Sequence, residues 1–333
     1  MDNNVKNYVN FQAEVTCDLD YVPSAIQLVE SLNTFGIGLL SVGSIFSILT
    51  IYFAVDACHN IISQKDSKFY KTNAIMILSV YPIASVCSLT AIAIPRGQLL
   101  SEAVTQIFLT ISLYRLYLLL LDVGRRKISE TPALMLRVGP CCCWPCLPFP
   151  NLQMTDTNLS WLGILALQFP IVQSFLYLIF LFMAAEEPIL ATQYSVYLQP
   201  IMVISILLGI YSLTVATKTL HAVAPEAKLH YKTLVSQLVL LFSKLQLGII
   251  KGLPATGLFP CNPPLNPAIY ANVTYNALML VEMLLLCYAA RHVYYVDLEK
   301  NQETDTTDRV ARISGQAVDP PNNDSNKQFS ATV

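Results

Sequence analysis

The sequence predicts an all-α membrane protein of seven transmembrane helices, with its N-terminus outside and its C-terminus in the cytosol. Three observations lead there. Seven apolar stretches lie between Leu32 and Val296, each close to the ~20 residues that carry a helix across a ~30 Å hydrocarbon core. Of 333 residues, 54% are hydrophobic and only 13% are charged, and the mean hydropathy of +0.51 lies outside the range of a soluble domain. The basic residues between the stretches are shared out very unevenly.

The first stretch, Leu32–Val55, follows a polar extracellular segment, residues 1–31, that has no apolar core of its own. This span therefore serves as the insertion signal, and no cleavable signal peptide is expected. Thr72–Ile94 and Ala103–Leu121 follow, the third span carrying Arg115 and running into Asp122-Val123-Gly124. A cysteine-rich connection, residues 122–158, leads to Leu159–Met183 and then Val196–Thr217. Thr233–Lys251 and Val273–Tyr295 complete a transmembrane domain over residues 32–296. No water reaches open backbone groups at that depth, so segments this long and unalternating are read as helices. The tail, residues 297–333, is rich in Asn, Asp, Thr, Gln and Ser with adjacent Pro320 and Pro321, and is expected to be disordered in the cytosol. No internal repeat is visible, which counts against the inverted-repeat transporters.

Charge sets the orientation. Of the 20 Lys and Arg, fifteen lie beyond or, for Arg291, just within the cytosolic ends of spans one, three, five and seven: Lys65, Lys68, Lys71; Arg125, Arg126, Lys127, Arg137; Lys218, Lys228, Lys232; and Arg291, Lys300, Arg309, Arg312, Lys327. The opposite side keeps Lys6, Arg96 and Lys251. By the positive-inside rule the N-terminus is outside.

The nine cysteines divide by that topology. Cys141, Cys142, Cys143 and Cys146 crowd beside the strongest basic run, on the cytosolic side where thiols stay reduced. Cys143 and Cys146 could form half a zinc knuckle, but no second ligand pair stands at the usual spacing, and Trp144-Pro145 suits a loop facing lipid. Reversible S-acylation fits better, with inert thiols as the remaining reading. Cys17 and Cys261 share the outer side, where a disulfide between them is the economical inference and two free thiols the alternative. Cys58, Cys87 and Cys287 read as small packing residues.

A rhodopsin-like receptor is the obvious rival for a seven-span, N-out chain. Asn266-Pro267-Ala268-Ile269-Tyr270 matches the NPxxY pattern of such receptors, yet here it precedes the last span on the outer side, where it reads as a proline-stiffened loop. The third span ends without an acidic-Arg-Tyr triplet, and the loop after span four holds no cysteine. Enzyme chemistry has no foothold. His59, His221, His230 and His292 form no HExxH or other His-box spacing, no glycine-rich phosphate loop appears, and no cofactor is expected. The sequon Asn272-Val273-Thr274 abuts span seven and is expected to stay unmodified.

Polar groups inside the bilayer are costly enough to mark functional sites. Arg115, Lys244 and Glu282 lie in spans three, six and seven. Lys244 and Glu282 have matching depth on consecutive antiparallel spans, so an ion pair is expected, either structural or also contacting an anionic solute. Gln237, Lys244 and Gly248 fall at i, i+7 and i+11, along one helical face. Arg115 stands about seven residues from the cytosolic end of its span and is expected to snorkel, with Asp122 as its partner.

Several of these features occur together in one family. Ile94-Pro95-Arg96, Leu100-Ser101-Glu102, Asp122-Val123-Gly124, Thr131-Pro132, Gly139-Pro140 with the cysteine cluster, Gln237, Leu245-Gln246, Cys261 before Pro263-Pro264, Glu282 and Tyr294-Tyr295 resemble the alpha subunit of the organic solute transporter from about Ala25 to Tyr295. The resemblance implies a seven-helix subunit that acts with a single-span beta subunit, in hetero-oligomers such as a dimer of heterodimers. It implies facilitated diffusion of bile acids, steroid conjugates and similar anions at the plasma membrane, basolateral in polarised cells, with retention in the endoplasmic reticulum when unassembled. It further implies acylation at Cys141, Cys142, Cys143 and Cys146, and a polar lining that includes Gln237, Gln246 and Glu282. Arg115 and Lys244 are added as solute-binding candidates from their own positions. Lys244 and the short cysteine tract, interrupted by Trp144, depart from the family pattern and point to a divergent member. The competing expectation is a seven-span receptor or scaffold without transport activity.

Overall fold

The computed structural model describes residues 22–64, 67–127, 155–223, 229–261 and 265–315. Among them, seven helical spans are long and apolar enough to cross a membrane, one for each stretch read from sequence.

Helix α1 (Ala25–Ser63) begins with a capping box: the Ser24 hydroxyl accepts from the Gln27 N–H, and the Gln27 side chain accepts from the Ser24 N–H. Residues 25–31, read as part of a polar segment, are therefore already helical. At Asn33 the backbone turns to φ 48°, ψ −136°. Such a conformation costs an L-residue on the order of 1–2 kcal/mol. The break separates a short leading turn, whose Leu28 is buried with Leu265 and Ile269, from the span proper.

The second span is two helices, α2 (Lys68–Leu78) and α3 (Val80–Ala93), interrupted at Ser79. Pro82 explains the interruption, since its ring clashes with the carbonyl four residues back and it has no N–H to donate. A 3₁₀ turn over Pro95–Gly97 leads into α4 (Gln98–Lys127). Helices α5 (Asp156–Glu186) and α6 (Pro188–Val223) form a hairpin, followed by α7 (Leu229–Gly252). Helix α8 (Pro267–Gly315) is capped by Asn266, whose side chain accepts from the Ile269 N–H at 3.0 Å, with Pro267 in its first turn. The NPxxY-like run is thus a helix start. Helix α8 carries no Gly or Pro between Pro267 and Gly315, so nothing breaks it where the hydrophobic stretch ends. Residues 297–315, expected to be disordered, are helical for this reason. Cys17, Cys141, Cys142, Cys143 and Cys146 lie outside the described residues.

Helix α8 packs against α1, α3 and α7; α4 packs against α2, α3 and α5; and α7 also meets α4 and α6. Small residues let these helices approach closely, as expected where lipid supplies no hydrophobic drive for association. A Cβ on Gly43 of α1 would stand 3.0 Å from Leu280 and 3.2 Å from Leu89. A Cβ on Gly209 of α6 would stand 2.8 Å from the Phe169 ring of α5. The α5–α6 hairpin is also stitched by amides: Gln168 donates to the Ser205 carbonyl and Gln173 to the Met202 carbonyl. Large apolar side chains such as Ile48, Phe182 and Tyr197 point outward, as a lipid-facing surface requires.

Two residues read as loop charges lie inside the bundle. Lys232 is buried in the first turn of α7, donates to the Tyr70 hydroxyl at 3.0 Å and sits over the Tyr70 and Tyr294 rings. Arg291 of α8 pairs with Asp56 of α1 at 2.6 Å.

Candidate functional site

Helix α7 carries polar groups on two opposite sides. At 100° per residue, Gln237 and Lys244 lie within about 20° of each other, whereas Gln246 points about 200° away from Lys244. Each side meets different neighbours.

On the first side, Lys244 Nζ donates to the Tyr177 hydroxyl of α5 at 2.9 Å and stands 5.0 Å from that ring's centroid. Near the same end of the bundle, Lys251 reaches the Glu102 carboxylate of α4 at 3.1 Å, with the Glu102 side chain only 9% exposed. With both lysines protonated, this cluster holds two cations against one carboxylate. Gln237, on the same face and further along α7, donates to the Thr214 hydroxyl of α6 at 3.3 Å. Below it the Thr217 and Thr233 hydroxyls meet at 3.0 Å, so α6 and α7 are joined at that end. Leu241 and Gly248 flank Lys244 on α7 and are exposed, and a Cβ built on Gly248 would meet nothing within 4 Å. Lys244 thus stands beside an exposed apolar strip of α7.

On the second side, the Gln246 amide donates to the Glu282 carboxylate of α8. The other Glu282 oxygen is buried without a protein partner among the described residues. The expected Lys244–Glu282 ion pair is absent. Depth matched the two residues, but Lys244 and Glu282 lie on different sides of α7, and Gln246 is the residue aimed at α8. Tyr275 of α8 adds a backbone tie, donating to the Ser243 carbonyl at 3.2 Å.

Arg115 belongs to neither group. Its guanidinium donates to Asn73 of α2 at 3.5 Å rather than pairing with Asp122, and it stands about 20 Å along α4 from Glu102. It ties α4 to the buried Asn73, one turn into α2. Tyr177, Lys251 and Glu102 were missed as site residues. Glu102 immediately precedes the third stretch, on the same side of the membrane as Lys251, which is the signal that could have found it, while the approach of Tyr177 depends on how α5 is rotated. Cys261 is disulfide-bonded, to a residue outside the described ones.

The sequence pattern of the family "Organic solute transporter Ostalpha" matches residues 39–299, most of the chain. The chain belongs to the organic solute transporter alpha family. The zebrafish (Danio rerio) organic solute transporter subunit alpha is 22% identical over 310 residues, covering 89% of this chain and 94% of the relative. The organic solute transporter alpha-like protein of Drosophila melanogaster is 25% identical over 318 residues, covering 91% and 95%. The subunit alpha of the skate Leucoraja erinaceus is 23% identical over 285 residues, covering 82% and 80%. No solved structure matches the chain. As an organic solute transporter alpha protein, the chain is a multi-pass membrane protein of a transporter family.

Proposed function

We propose that the chain is the transporting subunit of a facilitative transporter for amphipathic organic anions, of the steroid-conjugate or bile-acid type. The observation that carries this reading is Lys244: a partly buried cation whose direct partner is the neutral Tyr177 hydroxyl, beside exposed apolar positions of α7 that we read as the wall of a lateral groove. A cation not neutralised by direct carboxylate contact can meet an anion, and the apolar walls accept a hydrophobic body. Gln237 and Tyr177 offer further hydrogen bonds. Gln246 and Glu282 form the opposite, helix-joining side.

The family membership supports a heteromeric arrangement with a single-span beta subunit, such as a dimer of heterodimers, at the plasma membrane, with the unassembled chain in the endoplasmic reticulum. The basic-residue distribution supports an outside N-terminus, and Cys141, Cys142, Cys143 and Cys146 are proposed acylation sites that pin the connection after α4 to the bilayer. The outer position of Cys17 supports its pairing with Cys261.

The test is uptake of a labelled steroid sulfate in cells given the chain, with and without a single-span partner. The reading expects flux down the gradient, independent of sodium and ATP, that ends at equal concentrations. Concentrative uptake, or none in either arrangement with the chain at the surface, contradicts it, and the second outcome favours a receptor or scaffold.

A further inference from the structure

Nine of the ten residues around a cavity between α3, α4 and α8 carry a polar side-chain atom; they include Ser88, Gln98, Glu102, Gln106, Tyr275 and Asn276. Gln106 is its most telling member. The residue is 0% exposed, and neither its Nε2 nor its Oε1 has a hydrogen-bond partner among the described residues. Because both ends of the amide lack one, exchanging its oxygen and nitrogen changes nothing. Leaving both unmatched in a bundle interior is costly. A residue that only filled space there would be apolar.

The chemistry required is specific. Nε2 needs an acceptor and Oε1 needs a donor, within one small space. A carboxylate or sulfate satisfies only the first and a cation only the second. A hydroxyl satisfies both. Two of its lining residues also bond to α7: Glu102 accepts from Lys251, and Tyr275 donates to the Ser243 carbonyl. At its other end Gln98 donates to Asn272 at 2.6 Å and also lines a second cavity beside Val22 and Pro95, at the end of the bundle.

We propose that the Gln106 cavity is a subsite for a neutral hydroxyl of the transported solute, set apart from the anion position at Lys244. This rests on the transport reading. Water offers the same donor and acceptor, so a hydroxyl from either source fits, and the two are separated by solute chemistry. A site built to bond a hydroxyl discriminates strongly against an analogue lacking it, because its own polar groups are then stranded.

The experiment compares two steroid sulfates that differ by one hydroxyl remote from the sulfate, as competitors of labelled uptake, in wild type, Gln106→Leu and the cavity-filling Ser88→Val, normalised to surface abundance. Wild type should prefer at least one hydroxylated isomer of a positional set by tenfold or more. Both variants should lose that preference while still transporting the deoxy compound. If Gln106→Leu folds poorly, Ser88→Val alone carries the comparison. Preference unchanged in the variants, or no preference among any isomers in wild type, overturns the proposal and leaves water as the hydroxyl source. Absence of all uptake in wild type is the separate failure of the transport reading; in that case steroid-sulfate protection of purified protein from heat is measured, and a Gln106-dependent hydroxyl preference there supports the subsite, while its lack refutes it.

Discussion

Gly248 stands one turn from Lys244 with open space where a side chain would be, and its φ lies outside the left-handed region. Leucine there meets no steric obstacle and improves helix propensity by several tenths of a kcal/mol. Gly248→Leu is therefore expected to fold at wild-type abundance or better while narrowing the groove, and a drop in transport per surface molecule is the readout. The polar pairs give a second expectation. Because Lys244 contacts Tyr177 while Glu282 contacts Gln246, Lys244→Met and Glu282→Gln act through separate partners. Their losses in thermal stability should add within about 0.5 kcal/mol, whereas Gln246→Leu and Glu282→Leu should couple, the double variant being less destabilised than the sum. Sequence spacing made the depth of these residues plain. It also held the decisive clue, since residues two positions apart on a helix, as Lys244 and Gln246 are, cannot share a face. Tyr177 had no such clue, because its role rests on the rotation of α5 about its own axis.

At the scale of elements, the α5–α6 hairpin depends on Gly209 lying against Phe169, itself 2% exposed. Gly209→Ala pushes a methyl into the ring, and overpacking of this kind costs typically 1–3 kcal/mol. A lowered melting temperature in detergent, with Gly209→Leu lower still, is the expected result. The seven spans were legible because each is a sum of about twenty apolar residues, which tolerates local exceptions. Their ends were less so. Helix α1 starts at the Ser24 cap, before the apolar stretch, and α8 outruns its stretch for want of any breaker. The break at Ser79 follows from Pro82, a signal present in the sequence but hidden within an otherwise uniform apolar run.

For the whole molecule, the proposed solute groove lies along α5, α6 and α7, where Thr217 and Thr233 join α6 to α7 at one end and Lys244 and Lys251 stand towards the other. With the proposed orientation the joined end is cytosolic, so a tag after Val333 should be reachable by antibody only after permeabilisation, and one before Met1 in intact cells. Surface staining of the C-terminal tag would reverse the groove. The central claim is that Lys244 receives the solute's anion during downhill exchange. Its most direct measurement is steroid-sulfate exchange in liposomes holding the purified full chain with a single-span partner, comparing wild type with Lys244→Met and Lys244→Arg. A charge-assisted contact contributes about 1.5–3 kcal/mol, so Lys244→Met should raise the half-saturating concentration by about 10- to 100-fold, with Lys244→Arg largely restoring it. Unchanged half-saturation in Lys244→Met would contradict the account.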